Sequence, residues 1–299
     1  MSGQLPPLIE VAIEPKSAAD LAKLAAALTI LALQDPALSV STDRESGQTI
    51  IKGTRLTQLD QTVGRLLQEF GVAANIGPPQ VAYRETLTRA VEVDVTHKKQ
   101  IGAGGEFARV RILFEPLPAG SGYVFKNEIV GGAVPKECIP GVERGLNASR
   151  ENGVLAGYPL IDFKATLLDG AYHEVDSTNL TFEIATRTAV RMLKERKAAA
   201  LLEPIMNLDV TTPDDCLGGV IGDINSRRGQ VQSWETRGEH QHLAALVPLG
   251  NLFDYDEALR ALSRDRAAAT MTFSHYDRVP WSTFDDDPPP FRPAMGMRA

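Results

Sequence analysis

Two stretches of this 299-residue chain, 7–80 and 200–280, follow one order of strand, helix, strand, strand, helix, strand, and that repeated order limits the folds open to them. In the first, Leu8 to Ile13 reads as a strand closed by Pro15, and Ser17 with Asp20 forms a Ser-x-x-Asp pattern that caps a helix. Leu21, Leu24, Ala25, Leu28 and Leu31 then recur at helical spacing until Asp35-Pro36 stops them. Leu38 to Thr42 and Gln48 to Lys52 alternate about Gly47 as a hairpin. Leu56, Leu59, Val63, Leu66, Leu67 and Phe70 mark a second amphipathic helix ending at Gly71, and Val72 to Ile76 is a strand that runs into Gly77-Pro78-Pro79. In the second stretch, Leu201 to Val210 is a strand, Cys216 to Ser226 a helix ended by Gly229, and Val231 to Thr236 with Leu243 to Val247 a hairpin. Glu257 to Leu262 and Ala269 to Phe273 complete the order. Both read as ferredoxin-like βαββαβ units.

The chain therefore divides into 1–80, a different α+β unit over 81–199, and 200–280, followed by a tail, 281–299, whose Asp285-Asp286-Asp287-Pro288-Pro289-Pro290 run has the composition of a disordered segment. In the middle unit Val91, Val93 and Val95 alternate on one strand and Val110, Ile112 and Phe114 on the next. Between them lies Ile101 to Gly105, a flexible hairpin rather than a nucleotide loop, because it opens no helix. A strand from Phe125 to Val130, a helix through Val142, Leu146 and Ala148, and a long helix from Thr181 to about Lys197 follow. Asp169-Gly170 is a turn signal after an alternating strand, which places Tyr172 and His173 on an exposed loop and Asp176 and Ser177 at a helix N-cap. A single exposed histidine is ordinarily a solvated surface residue, and that reading stands beside a functional one.

A net charge of −7 argues against indiscriminate polyanion binding, yet the middle unit is close to neutral and the last hundred residues carry most of the negative charge. Within the middle unit His97, Lys98, Lys99 and Gln100 make a local basic tip. No apolar run approaches the roughly 20 residues of a membrane span. The N-terminus lacks the charged and apolar regions of a signal peptide, and Cys138 and Cys216 are far apart, so a reducing cytoplasm is the expected setting. No Gly-x-x-x-x-Gly-Lys-Ser/Thr occurs; His240 and His242 find no cysteine spaced to complete a zinc site; no nucleophile, base and acid stand out. The sequence thus points to a binding or mechanical module with no catalytic residue, metal or cofactor.

Several long motifs carry a resemblance: Val130 to Pro140 (VGGAVPKECIP), Asn152 to Pro159 (NGVLAGYP), Asp169 to Ser177 (DGAYHEVDS), Leu202 to Met206 (LEPIM), Gly222 to Gly229 (GDINSRRG) and Phe273 to Pro280 (FSHYDRVP). In this order they resemble bacterial elongation factor G over its C-terminal half, domains III, IV and V. The resemblance implies a left-handed βαβ unit in the middle domain, a monomer, and no GTP site within these residues. It implies a tip that enters the decoding region of the small ribosomal subunit during translocation of tRNA and mRNA. The matching positions are Gln100, Gly102 and Gly105 in one loop and Asp169, Gly170, Tyr172, His173 and Asp176 in the other, and Lys98 and Lys99 beside the first add electrostatic attraction to RNA. Glycine lets backbone approach RNA, and glutamine and histidine supply hydrogen bonds. Asn225, Ser226, Arg227 and Arg228 match a surface that faces large-subunit RNA at the factor site; the alternative is that the arginines cap a helix end.

The chain departs from the family in two places. Gly53 to Asp60 reads GTRLTQLD where the family reads GMGELHLD, and Thr54 becomes a candidate N-cap. Asp265 to Ala269 lacks an aromatic residue. Two other functions stay open: a free-standing truncated relative that occupies the factor site as a regulator or decoy, and an enzyme built on the middle domain.

Overall fold

The structure, a computed structural model, describes residues 6–42, 47–101 and 104–280. Among these, 6–82 with 203–277 form one compact unit and 83–202 with 278–280 another. The expected tail over 281–299 and Gly102 lie outside the described residues.

The chain begins with β1 (Ile9–Pro15), α1 (Ala18–Gln34), β2 (Ser39–Thr42), β3 (Thr49–Gly53), α2 (Leu56–Gln68) and β4 (Ala74–Ile76). Ser17 caps α1 as its sequence predicts, its hydroxyl accepting the Asp20 N–H at 3.1 Å. The sheet order β2-β3-β1-β4 is that of a split βαβ fold. Leu24, Leu28 and Leu31 of α1 and Leu59 and Leu66 of α2 are buried, as are Val11, Ile13 and Ile51 of the sheet. Past Gly77-Pro78-Pro79, β5 (Gln80–Val81) resumes pairing with β1, Val81 opposite Ile9, so the glycine-proline run interrupts an edge without ending the sheet. Thr54 is not the cap of α2. Arg55 stands there without a side-chain bond, and Gln58 reaches back instead, its Oε1 accepting the Thr54 N–H at 2.9 Å while its amide donates to Asp35 at 2.6 Å. Because Asp35 is the C-cap of α1, this one side chain joins the end of one helix to the start of the next.

The middle unit runs β6 (Arg84–Leu87), β7 (Val91–Ile101), β8 (Gly104–Pro116), β9 (Tyr123–Asn127), α3 (Ile139–Asn152), β10 (Phe163–Ala171) and α4 (Asn179–Glu195). Its sheet has the order β7-β8-β10-β9, with β10 antiparallel to β8 and parallel to β9, so α3 is the helix of a β-α-β crossover. Val91, Val93 and Val95 are buried with Val110, Ile112 and Phe114, in one core with Val142 and Leu146 of α3 and Phe182 and Ala185 of α4. Each of the larger side chains contributes about 1.5–3 kcal/mol when fully buried. Gly141 and Gly145 allow the two helices to meet, since a Cβ at Gly141 would lie 2.2 Å from the Asn179 carbonyl oxygen. The polar stripe is paired across strands, Glu92 with Arg111, Asp94 with Arg109 and Glu115 with Lys164. Arg109 holds the Asp94 carboxyl below its ordinary range.

The Asn152 to Pro159 motif has a structural cause that its residues did not disclose. Glu85 of β6 is fully buried, and its carboxylate accepts the backbone N–H groups of Val154, Leu155, Ala156 and Tyr158 at 2.5–3.2 Å. Four donors compensate a charge that burial would otherwise make costly. Gly153 turns into this loop at φ 62°, and a Cβ there would lie 2.0 Å from the Tyr158 carbonyl oxygen.

The last domain comprises β11 (Ala199–Pro213), α5 (Leu217–Ser226), β12 (Gln230–Arg237), β13 (His240–Pro248), α6 (Tyr255–Ser263) and β14 (Ala268–Arg278). Its order, β12-β13-β11-β14, repeats that of the first sheet, as the repeated sequence pattern predicts. The first residues of β11 pair with β6, Ala199 opposite Leu87. Tyr276, within the Phe273 to Pro280 motif, donates its hydroxyl to the Ala82 carbonyl at 3.0 Å, a bond between the two ferredoxin-like domains inside their common unit. Gly229 does not supply the left-handed residue after α5; Arg228 does, at φ 61°. Glycine is required at 229 for space, a Cβ lying 2.5 Å from Ile224 Cγ2. Cys138 is buried, which pushes its thiol pKa up, and Cys216 is partly exposed. No helix among the described residues is long and apolar enough to cross a membrane.

Candidate functional site

The β7–β8 hairpin and the loop after β10 come together at one end of the middle sheet. Hairpin pairing sets Lys98 opposite Phe107, Lys99 opposite Glu106 and Gln100 opposite Gly105. Lys98, Lys99 and Gln100 are all exposed. Glu106, the acid nearest in register to Lys99, is engaged by His97 at 2.8 Å, and neither lysine has an ion-pair partner among the described residues. Two ammonium groups are therefore available to an outside anion.

The second loop is arranged differently from its sequence pattern. Asp169-Gly170 is not a turn: both residues lie within β10, opposite Arg111 and Val110, just after a bulge between Leu167 and Asp169. Gly170 is buried and its role is close packing, since a Cβ would lie 2.4 Å from Val134 Cγ2 and 2.6 Å from the Arg109 carbonyl oxygen. Asp169 lies 3.7 Å from Arg109. The chain leaves the strand only after Ala171, and Tyr172 and His173 are exposed there as expected, at 45% for the tyrosine and 59% for the imidazole. Helix α4 is capped by Thr178 with Thr181 in a reciprocal capping box, one step beyond Asp176 and Ser177.

Those two residues instead fasten the loops together. Asp176 Oδ1 accepts the Gly105 N–H at 3.2 Å and the Asp176 carbonyl accepts the Phe107 N–H at 3.0 Å. Ser177 donates its hydroxyl to the Phe107 carbonyl at 2.6 Å and accepts the His173 N–H at 2.8 Å. Gly105 is thus occupied rather than open to a ligand, and a Cβ on it would lie 3.1 Å from Asp176 Oδ2. His173 Nδ1 accepts the Val175 N–H at 3.4 Å when unprotonated and meets Asp176 Oδ2 at 3.3 Å when protonated. Nε2 has no partner among the described residues in either case.

The segment 225–228 is of another kind. Arg227 donates to Asp223 at 2.8 Å, to the Asn251 carbonyl at 2.7 Å and to Asp254 at 2.6 Å, and its side chain is 13% exposed. Its guanidinium also lies 5.3 Å from the centre of the Tyr255 ring. Arg228 donates to Glu203 at 2.6 Å, a carboxylate that burial pushes up in pKa and Arg228 holds back. Both arginines expected to face RNA are engaged inside the domain, and only Asn225 and Ser226 are exposed. Among the described residues no group of histidine, cysteine and acidic side chains could hold a metal ion.

Two ferredoxin-like folds, one on either side of the middle unit in sequence, together with a hydrogen-bonded tip that bears two exposed lysines, define a multidomain α+β protein. Three family models cover nearly all of the chain: elongation factor G domain III over residues 6–78, elongation factor G domain IV over 79–196, and the elongation factor G C-terminus over 200–286. The chain belongs to the elongation factor G family and is a translation elongation factor-like protein. A crystal structure of a protein from Thermus thermophilus superimposes with a TM-score of 0.68 at 35% sequence identity, over 95% of this chain and 42% of that one. The chain spans less than half the length of that protein.

Proposed function

We propose that this chain engages the ribosome and that the end of its middle domain is the part that meets RNA in the small-subunit decoding region during movement of tRNA and mRNA. The observation that supports this most is the pair of exposed lysines without acidic partners among the described residues, carried beside an imidazole whose Nε2 is open, on two loops fastened by hydrogen bonds. Lysine provides attraction to phosphate without sequence preference, and histidine a directional bond to base, ribose or phosphate. The large-subunit factor site is the partner of the C-terminal domain, with Asn225 and Ser226 as the exposed residues there. In this reading the chain acts as a monomer in the cytoplasm, and GTP belongs to the family's wider cycle with no residue of this chain assigned to it.

The test is to titrate binding of the purified chain to ribosomes at several salt concentrations and to map rRNA protection. The wild-type chain should protect decoding-region nucleotides, and full-length elongation factor G should compete with it. Lys98→Ala with Lys99→Ala should flatten the salt dependence by about 0.7 to 0.9 slope units for each phosphate left unneutralised. Binding with an unchanged slope and unchanged protection would remove these lysines from the interface, and absence of protection by the wild type would end the reading.

A further inference from the structure

The proposed RNA contact needs His173 held in one place, although it stands on a loop of exposed residues. Hydrogen bonds through Asp176 and Ser177 do this. Ser177 is the hub. Its hydroxyl has one proton, directed to the Phe107 carbonyl at 2.6 Å, and its lone pair takes the His173 N–H at 2.8 Å. The Ser177 N–H returns to the His173 carbonyl at 3.1 Å, closing a ring that fixes the backbone on both sides of the imidazole. Asp176 supplies the second tie, to the Gly105 N–H and the Phe107 N–H, where β8 leaves the hairpin tip.

From this geometry we infer that Ser177 and Asp176 are positioning residues, which lock the His173 loop onto β8 and so set the register between the imidazole and the lysines of β7. The inference rests on the RNA-contact reading above and says how that site is held. It also reassigns Asp176, which by resemblance is an RNA contact: its carboxylate faces the Gly105 amide and the imidazole, and a negative charge facing phosphate would oppose binding. Thr178, directly after Ser177, starts the rigid part of the chain by capping α4, so the lock joins a strand on one side to a helix on the other.

The experiment uses the full chain and two readouts. Amide hydrogen exchange, read residue by residue, should show His173 exchanging at least about tenfold faster in Ser177→Ala than in the wild type, with amides of α4 beyond its first turn unchanged. Ser177→Thr, which keeps the hydroxyl, should restore protection. Asp176→Asn keeps an acceptor for Gly105 and should have the smaller effect. On ribosomes Ser177→Ala should keep the wild-type salt slope while protection near the tip weakens or shifts, which simple removal of a phosphate-binding lysine would not do. Unchanged His173 exchange in Ser177→Ala, or no recovery with threonine, overturns the lock. Faster exchange with an unaltered ribosomal footprint overturns the positioning role. If the wild-type chain gives no footprint at all, the RNA-contact reading falls and the positioning role falls with it, while the exchange data still report whether the two loops are fastened.

Discussion

The tip of the middle domain and the segment after α5 both carry two consecutive basic residues beside a turn, and the structure treats them in opposite ways. Lys98 and Lys99 project from a hairpin whose nearest acid is taken by His97. Arg227 and Arg228, both only partly exposed, are paired within the domain with Asp223, Asp254 and Glu203. The difference follows from neighbours distant in sequence: Glu203 belongs to β11 and Asp254 to the start of α6, and neither can be paired with an arginine at 227 or 228 by spacing alone. Basic residues become available for a partner only where the fold brings no acid to them, so a charge run marks a ligand site only after intramolecular pairs are subtracted. The side chain matters as well. A guanidinium can serve Asp223, Asp254 and a backbone carbonyl together in a fixed planar fork, whereas an ammonium on a flexible stem is the better exposed point charge.

This contrast can be broken by substitution, and the largest expected effect is on stability at the buried end. Arg227→Ala should cost about 2–3 kcal/mol in urea unfolding, because two carboxylates and a carbonyl lose a charged donor. A variant as stable as the wild type, with weaker ribosome binding, would instead return Arg227 to the RNA-facing surface. Next comes Arg228→Met, which leaves Glu203 buried without its partner. Burial already raises the Glu203 pKa, so the native state holds that proton more tightly than the unfolded chain does. The stability this confers is present below the unfolded glutamate pKa and is lost as pH rises through the native one. Without Arg228 the native pKa should climb further, and the variant should lose about 1–2 kcal/mol as pH rises above the ordinary glutamate range. Adding Glu203→Gln should flatten this dependence; if the double variant keeps the same slope with pH, another group is responsible.

At the tip the order of effects reverses. Lys98→Ala with Lys99→Ala should leave the urea midpoint where it was while the salt slope of ribosome binding falls, so a loss of stability would show that the lysines have an internal role. The smallest change expected is in His173→Ala. Fold stability should stay within about 0.5 kcal/mol, as for other exposed positions, and the effect should appear in the pattern of rRNA protection. Equal protection by this variant and the wild type would leave the lysines as the only contact at the tip.

Much of the fold is legible in the sequence because helix and strand patterns are local. The Ser17 cap, the alternation of Val91, Val93 and Val95, and the repeated element order each depend on residues within a few positions of one another, and all are present. The exposed loop at Tyr172 and His173 is legible for the same reason. Sequence and structure part where a local signal competes with a distant neighbour. Asp169-Gly170 has the composition of a turn, yet β8 and Val134 surround it and hold it in the strand, so the glycine serves packing. Asp176 and Ser177 have the composition of an N-cap, yet the carbonyl and amides of β8 claim them and Thr178 caps the helix.

By itself the sequence determined the order of the elements, the presence of two like domains around an unlike one, and the family, because periodicity, capping pairs and long motifs are written along the chain. Only the tertiary structure decided which polar groups are spent internally. Glu85 among four amides, Arg227 on Asp254 and the Asn251 carbonyl, and Ser177 on the Phe107 carbonyl each depend on partners 24 to 73 residues away, and a charge or hydroxyl cannot show from its own position whether such a partner will reach it before solvent or RNA does.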